Sequence, residues 1–276
     1  MKALLTGSYG FIGRNLENHL INLKAEIKTI NEDIFEDENW WDKLQSILEE
    51  FKPSVIFHIG ACSDTLEQRV NYMMVLNYEF TKRLADWSKN NNCKLIYSSS
   101  AANYGTNNKY PSNLYGWSKY AAEDYVRLSG GIGLRYFNVY GPGEEDKGRM
   151  ASIAYQMFIK NIKKENIQLF PGKPHRDFVY VQDIVLANIY AAQNYKDLSG
   201  SWYEVGSGNS RTFEDILDLM DIKYTYTDKS LIPVGYQFFT QSNKLKWMHG
   251  WKPNYTLETG IKDYINYLDK TYGKSY

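Results

Sequence analysis

Cysteine and histidine are scarce in this 276-residue chain, and their scarcity excludes several kinds of site. The two cysteines, Cys62 and Cys93, do not form a C-x-x-C pair, so neither a disulfide framework nor a thiolate metal site is expected. The four histidines are too scattered along the sequence to make an H-x-x-x-H ligand pair. We therefore predict no metal centre.

The chain also lacks an excess of charge and a long apolar segment. Its 32 Lys and Arg residues balance 32 Asp and Glu residues, which removes the electrostatic basis for binding nucleic acid or an anionic membrane. Apolar runs such as residues 55–59 are far shorter than the roughly 20 residues that cross a bilayer. Residues 1–7 contain too few apolar side chains for a secretory signal. We predict a cytoplasmic protein with neither nucleic acid nor membrane as a partner.

Short apolar runs alternate with amphipathic stretches in the first half of the chain. The runs with strand character are residues 3–6, 26–30, 54–58, 94–97 and 132–137. The stretches with helical spacing are residues 12–23, 40–51, 72–89 and 115–128. Because strands separated by helices indicate βαβ units, the sequence predicts an α/β fold with a doubly wound parallel sheet of the Rossmann type.

The regular alternation fades after Gly143. Helical patterns follow at residues 150–162, 183–194, 212–220 and 257–268, with short strands near 167–170 and 202–205. We predict a smaller C-terminal α/β substrate domain whose chain crosses back to the first domain. The NAD(P)-binding Rossmann domain would comprise residues 1–145 and about 178–206, and the substrate-binding domain about 146–177 and 207–276.

A glycine-rich turn follows the first predicted strand. Gly7, Gly10 and Gly13 form a G-x-x-G-x-x-G pattern that runs directly into a helix. Glycines let the backbone approach a pyrophosphate, and the helix N-terminus offers free N–H groups, so this turn predicts a dinucleotide cofactor. NAD enzymes place an acidic residue about 20 residues further on, against the ribose. Asn31 occupies that place and Glu32 follows it, so the choice between NAD and NADP stays open.

A Y-x-x-x-K pair, Tyr115 and Lys119, lies on one predicted helix. Residues four apart share a helix face, so the ammonium of Lys119 can approach the phenol. Together with an oxidised nicotinamide, that cation would lower the phenol pKa from about 10 by roughly one to three units. Ser100 ends the preceding strand, where a hydroxyl can hydrogen bond to a substrate oxygen, whereas Ser98 and Ser99 are more typical of a cap or turn. These residues predict a Ser-Tyr-Lys catalytic set.

Eight further segments carry a family resemblance. They are residues 57–63, 72–74, 99–105, 115–119, 135–142, 147–152, 176–181 and 236–241. On these segments, which span nearly the whole chain, the sequence resembles the extended short-chain dehydrogenase/reductases and is most similar to the ADP-L-glycero-D-manno-heptose 6-epimerases. The pair Lys147-Gly148 ahead of Met150 is the narrower signature of the epimerases.

The resemblance implies a reaction and the residues that carry it. A tightly held NADP, with NAD as the alternative, would oxidise a sugar carbinol of a nucleotide-sugar to a ketone, and the same hydride would return to the other face. Tyr115 and Lys147 would be the two acid/base groups, assisted by Ser100 and Lys119. The implied cofactor contacts are Gly7, Gly10, Phe11, Ile12, Gly13, Asn31, Asp33, Ile34, Gly60, Ala61, Cys62, Ser63, Lys119 and Val139. The implied substrate contacts are Ser100, Asn138, Arg149, Gln156, Phe170, Arg176 and Tyr236. We also expect a homo-oligomer.

Three positions depart from the family pattern. Arg149 replaces a small hydroxyl residue that the family turns toward substrate, and Leu76 stands where an asparagine usually reaches the cofactor. The segment 106–114 is shorter than the corresponding family loop. These differences bear on the exact substrate more than on the reaction class.

Other interpretations remain open at this point. The chain can be another nucleotide-sugar enzyme, namely a C4-epimerase, a reductase or a 4,6-dehydratase, although Ala101 and Ala102 replace the Asp-Glu pair of a dehydratase. It can also be a non-catalytic NAD(P)-sensing protein, although such proteins typically lose the tyrosine or the lysine that this chain retains. Lys147 can be a solvated lysine on a charged loop, and Arg176 can belong to an interdomain ion pair.

Overall fold

The computed structural model describes residues 1–106, 109–233 and 236–273. The chain divides into two units, Met1–Arg135 with Val185–Tyr203, and Tyr136–Ile184 with Glu204–Tyr276. Asn107 and Asn108, which belong to the shortened loop 106–114, lie outside the described residues.

The strands and helices follow in chain order. The strands are β1 (Lys2–Thr6), β2 (Glu26–Ile30), β3 (Val55–His58), β4 (Lys94–Ser100), β5 (Ile132–Tyr136), β6 (Asn138–Tyr140), β7 (Gln168–Leu169), β8 (His175–Tyr180), β9 (Ser201–Val205), β10 (Ser210–Thr212) and β11 (Thr225–Tyr226). The α-helices are α1 (Phe11–Asn22), α2 (Trp40–Phe51), α3 (Val70–Met74), α4 (Phe80–Asn90), α5 (Leu114–Leu128), α6 (Ile153–Ile162), α7 (Val181–Gln193), α8 (Tyr195–Leu198), α9 (Phe213–Leu219) and α10 (Leu257–Tyr272).

A six-stranded sheet in the order β2-β1-β3-β4-β5-β9 forms the centre of the first unit. The pairs β1-β2, β1-β3 and β3-β4 are parallel, so the predicted Rossmann-type sheet is confirmed. Every residue of β3 is buried, as expected for a central strand covered by helices on both faces. Helix α2 begins and ends as predicted and buries Leu44 and Leu48, four residues apart, in the core.

The sequence predicts one helix over residues 72–89, but the structure divides this segment. Helix α3 is followed by a π-helical turn, Val75–Glu79, before α4 begins. The Thr81 Oγ1 donates a hydrogen bond to the carbonyl of Asn77 (2.7 Å), and the Asn77 side chain is buried. The extra residue of such a turn redirects a side chain, and π-turns occur frequently at functional sites.

The second unit contains a three-stranded sheet in the order β10-β8-β6, in which β8 is antiparallel to β10 and parallel to β6. Strands β7 and β11 form a separate parallel pair. Helices α6, α9 and α10 supply much of an apolar core that includes Phe158, Leu217 and Leu268. The sequence does not predict β8, because residues 177–180 are all buried and show no two-residue alternation.

The boundaries of the units differ from those predicted. Residues 136–145 were assigned to the Rossmann domain but lie in the second unit, as do 178–184 and 204–206. Side-chain contacts explain the difference, because Tyr140 packs against Tyr180 and Tyr264, and the Tyr264 hydroxyl donates to Glu144 (2.9 Å). In the described parts of the chain, no helix combines the length and apolar character needed to span a membrane.

Candidate functional site

The three glycines of the first turn have different surroundings. Gly7 has a positive φ of 72°, and a Cβ on Gly13 would lie 2.0 Å from the Gly7 carbonyl oxygen, so these two residues must be small for the turn to close. A Cβ on Gly10 would meet only that same oxygen, at 3.4 Å. Gly10 is the N-cap of α1, whose first two residues are Phe11 and Ile12. The open side of the turn therefore fits a pyrophosphate at the helix N-terminus.

The Asn31 amide is tied to this turn. Its Oδ1 accepts hydrogen bonds from the backbone N–H of Tyr9 (3.1 Å) and from the hydroxyl of Ser8 (3.2 Å). The neighbouring Glu32 is exposed, and so is Asp33. The side chain of Ile34, one of the cofactor contacts that the resemblance implies, packs in the apolar core and is 5% exposed. The Asn31 amide is therefore held by the glycine turn, whereas the side chains of residues 32 and 33 are open to solvent.

The loop 60–63, which includes Ala61 and Ser63, follows β3 and is held by Asn77. The Asn77 Oδ1 accepts from the Cys62 N–H (2.8 Å), and its Nδ2 donates to the Cys62 carbonyl (3.0 Å) and to Ser118 Oγ (2.9 Å). Gly60 donates its N–H to Thr6 Oγ1 (3.0 Å). Asn77 therefore connects the loop predicted to line the cofactor with helix α5.

The sequence pattern does not single out Asn77, although this residue holds the loop predicted to line the cofactor. The family pattern has an asparagine at the position of Leu76, and the structure has a buried amide one residue later, at Asn77 on the π-helical turn. The available signal was an asparagine within an otherwise helical stretch, where its side chain is unfavourable unless it has a specific partner.

The structure brings Tyr115 and Ser100 together, and their side chains form a hydrogen bond. Ser100 Oγ also accepts from the Ala102 N–H (3.1 Å) and caps the short 3₁₀ turn that follows β4. Ser99 donates to the buried Glu123 carboxylate (2.6 Å), and Ser98 donates to a backbone carbonyl. Of the three serines, Ser100 is the one that reaches the predicted catalytic tyrosine.

Lys119 is 2% exposed, and its Nζ lies 4.3 Å from the centroid of the Tyr97 ring. Burial lowers the pKa of Lys119 to about 7, against the opposing effect of Glu123. Burial raises the pKa of Tyr115, and the hydrogen bond from Ser100 opposes that rise. Within the protein, burial therefore has the largest effect on the pKa of Tyr115. The lowering expected from Lys119 together with an oxidised nicotinamide stays a prediction.

Lys147 lies on the 3₁₀ turn Glu145–Met150 of the second unit. Its side chain is half-buried, and burial lowers its pKa while the charge of Glu144 opposes the shift. Glu144 is 0% exposed, although the sequence suggested a solvated charged loop. The buried residue thus precedes the turn, whereas Asp146, Gly148 and Arg149 on the turn itself are exposed.

Arg176 lies among aromatic side chains of the second unit. The carbon of its guanidinium is 5.5 Å from the Tyr236 ring, which packs edge-on against Phe170 with centroids 5.3 Å apart. Arg176 Nη1 donates to the His175 carbonyl (3.0 Å), and burial lowers its pKa. Among the described residues no carboxylate pairs with it, so the ion-pair interpretation has no support. A half-buried guanidinium of this kind can bind a phosphate bidentately.

The remaining predicted contacts are more dispersed. Asn138 is exposed at the start of β6, where its Oδ1 accepts from Thr240 Oγ1 (3.4 Å), and Val139 follows it half-buried. Gln156 Nε2 donates to the Ala151 carbonyl (2.7 Å) and to that of the exposed Arg149 (3.3 Å). The Gln156 amide therefore holds the backbone that follows Lys147.

In the described residues no three His, Cys, Asp or Glu side chains converge as metal ligands do. Buried carboxylates instead organise loops that the sequence did not single out. Asp177 accepts from the N–H groups of Ser207 (2.6 Å), Gly208 (3.0 Å) and Ser242 (2.8 Å). Asp183 accepts from the N–H groups of residues 254 and 255.

Comparison with known proteins identifies the family. The model of the family described as "NAD dependent epimerase/dehydratase family" matches residues 3–206. ADP-L-glycero-D-manno-heptose-6-epimerase of Brachyspira hyodysenteriae is 34% identical over 98% of this chain and 98% of its own, and that of Cupriavidus pinatubonensis is 32% identical over 97% and 98%. The crystal structure of the Helicobacter pylori enzyme of the same name is 28% identical, with a TM-score of 0.82 over 96% of this chain and 95% of its own. The resemblance seen in the motifs is confirmed, and the chain belongs to the NAD dependent epimerase/dehydratase family.

Proposed function

We propose that this protein is an ADP-L-glycero-D-manno-heptose 6-epimerase. The observation that carries the proposal is the identity of 34% and 32% to two enzymes of that name over nearly the full length of both chains. Lys147 and Gly148, the narrower signature of those enzymes, lie on the 3₁₀ turn Glu145–Met150 directly after the buried Glu144, which supports the same assignment. The substrate would be a nucleotide-sugar whose carbinol carbon is inverted without net oxidation.

The first unit would bind the cofactor on the open side of the Gly10 turn and against the 60–63 loop. A nicotinamide bound there would supply reversible hydride transfer at the sugar carbon. Tyr115 and Ser100 would contact the reacting oxygen, with Ser100 stabilising it and Tyr115 exchanging its proton. The buried Lys119 would bind the cofactor ribose, and its ammonium would be the positive charge nearest Tyr115.

Lys147 would be the second acid/base group, as inversion needs proton transfer on both faces of the carbon. The pKa of Lys147 is lowered and that of Tyr115 is raised, which suits one group to accept a proton and the other to donate one. The lowered pKa of Lys147 raises the fraction of its amine that is unprotonated and could accept the hydroxyl proton. The raised pKa of Tyr115 favours the phenol, which could donate a proton to the ketone oxygen. The roles reverse for the other epimer.

Arg176, Tyr236 and Phe170 would hold the ADP part of the substrate. The guanidinium matches phosphate oxygens, and the two rings offer apolar area beside it. Asn138 would add a hydrogen bond from the edge of β6.

The direct test is to incubate purified protein, without added cofactor, with ADP-D-glycero-D-manno-heptose and to follow the L-glycero epimer by NMR. We expect interconversion toward a fixed ratio from either epimer. UDP-glucose serves as the comparison substrate, because conversion of it but not of the heptose would make the protein a C4-epimerase instead.

For the cofactor we propose NADP, bound at least as well as NAD. Asn31 carries no charge that would repel a 2′-phosphate, and the Arg14 guanidinium lies at the glycine turn, where its Nη2 donates to the Tyr9 carbonyl (2.9 Å). Fluorescence titration of cofactor-free protein with both nucleotides measures the preference. Tenfold tighter binding of NAD would contradict the proposal and would point to Glu32 as the ribose ligand.

We also propose a cytoplasmic location and a homo-oligomer. Cys62 and Cys93 are both free thiols, which suits a reducing compartment. Tyr110, Trp117 and Tyr120 are exposed and contact one another on the first unit, a patch of the kind that favours association. Light scattering coupled to size-exclusion chromatography measures the mass of the protein in solution. A monomer at micromolar concentration would contradict the proposed homo-oligomer.

A further inference from the structure

The turn that carries Lys147 is anchored by one buried carboxylate. Glu144 accepts hydrogen bonds from the Gly141 N–H (3.2 Å), the Ser152 N–H (2.5 Å), the Ser152 hydroxyl (2.7 Å) and the Tyr264 hydroxyl (2.9 Å). Gly141 and Ser152 lie on either side of the Lys147 turn, and Tyr264 lies on α10. Glu144 therefore ties both ends of this segment to the C-terminal helix.

A carboxylate in the interior is costly unless several donors satisfy it, so four donors on a residue that is 0% exposed indicate a specific arrangement. The Glu144 carbonyl also accepts the backbone N–H of Lys147 (3.1 Å). Glu144 thus fixes the position of the Lys147 backbone, because the two residues are three apart in the chain and are joined by this hydrogen bond.

We propose that Glu144, held by Tyr264, is a positioning residue for Lys147. The inference rests on the proposed role of Lys147 as an acid/base group. Glu144 acts in two ways: it fixes the turn from which the ammonium extends, and its negative charge favours the protonated amine. Other titratable groups around it are Glu145 on the same turn and Tyr155 on α6.

The same helix supplies a matched control. The Tyr267 hydroxyl donates to Glu145 Oε1 (2.7 Å), and the Tyr267 ring lies 6.2 Å from that of Tyr264 in a nearly parallel orientation. Both tyrosines reach the Lys147 turn from α10, but only Tyr264 reaches the buried carboxylate. Removing either hydroxyl deletes one hydrogen bond and leaves the ring in place.

The experiment measures kcat and KM for interconversion of the two ADP-heptose epimers. Tyr264→Phe should lower kcat about tenfold or more, because small misplacements of a reacting group cost that much, while KM changes less than about twofold. Tyr267→Phe should stay within about twofold of wild type in both. Equal effects of the two substitutions, or none from either, would overturn the proposal. Thermal unfolding of each variant separates loss of folded protein from loss of turnover.

The Glu144→Gln variant tests the effect of the negative charge through the pH dependence of kcat, which a purely structural role would leave unchanged. Without the negative charge the pKa of Lys147 falls further, so the limb of the kcat–pH profile that Lys147 governs should move to lower pH by at least about half a unit. A profile superimposable on that of wild type would overturn the proposal. Lys147→Met, measured alongside, separates the two claims: unchanged activity in this variant refutes the function of Lys147, whereas inactivity with normal Tyr264→Phe and Glu144→Gln variants refutes only the positioning role.

Discussion

Single residues decide whether a cofactor can approach the first turn. Gly7 and Gly13 are small because the turn itself needs the space, whereas the space beside Gly10 is open. Gly7 and Gly13 are therefore required by the turn itself, whereas Gly10 is the glycine that leaves room for a ligand. The distinction is testable because the two kinds of glycine should fail in different ways.

Gly10→Val should fold normally and lose its bound nicotinamide nucleotide, because the new side chain would occupy the open side of the turn. Gly13→Ala should instead lower thermal stability, since its Cβ would lie 2.0 Å from the Gly7 carbonyl oxygen. The measurements are the nucleotide content of the purified protein by mass spectrometry and its thermal unfolding. If Gly10→Val retains as much nucleotide as wild type does, the glycine turn is not the pyrophosphate site.

Lys119 should leave a signature in the pH dependence of stability. Its pKa is about 7 in the folded protein against 10.5 ordinarily, so between these values the unfolded chain binds the additional proton. The free energy of unfolding therefore rises with pH across this window, and the destabilisation from Lys119 is greatest below about pH 7. Urea unfolding at a series of pH values should show wild type gaining stability relative to Lys119→Met as pH rises from about 7 to 10. Parallel curves would show that the folded pKa is not lowered.

At the scale of elements, the sequence predicted the features that depend on neighbouring residues. It missed features that depend on hydrogen bonds between residues far apart in the chain. The sequence placed Tyr115 and Lys119 on one helix and Ser100 at a strand end because each depends on neighbours in sequence. It missed the π-helical turn at Asn77 and the burial of Glu144, because these depend on partners at Cys62 and Tyr264 that are distant along the chain. Strand β8 was missed for another reason: a fully buried strand has no alternation.

The π-helical turn gives a prediction at this scale. Asn77→Ala would leave the half-buried N–H and carbonyl of Cys62 without this partner, at a cost of about 1 kcal/mol for each group in the free energy of unfolding, the lower end for an unsatisfied group. We expect weaker cofactor binding as well, since the 60–63 loop loses its attachment to α5. Val75→Ala, on the exposed side of the same turn, should change neither by more than about 0.5 kcal/mol. Urea unfolding and cofactor titration measure both effects.

At the scale of the whole molecule, the proposed chemistry is divided between two units. The first carries Ser100 at the end of β4 and Tyr115 and Lys119 on α5, and the second carries Lys147 and Arg176. In the proposal, the first set serves the oxidation and reduction that reductases and epimerases share, and Lys147 serves the inversion. The proposed two-base mechanism therefore depends on whether Lys147 takes part in catalysis.

The central measurement is the rate of heptose epimer interconversion in three proteins: wild type, Tyr115→Phe and Lys147→Met. With two acid/base groups, each substitution should slow interconversion by at least about a hundredfold, the lower end of what a positioned acid or base contributes, while cofactor binding is unchanged. If Lys147→Met instead interconverts the epimers as fast as wild type does, Tyr115 is the sole acid/base group and the two-base account is contradicted.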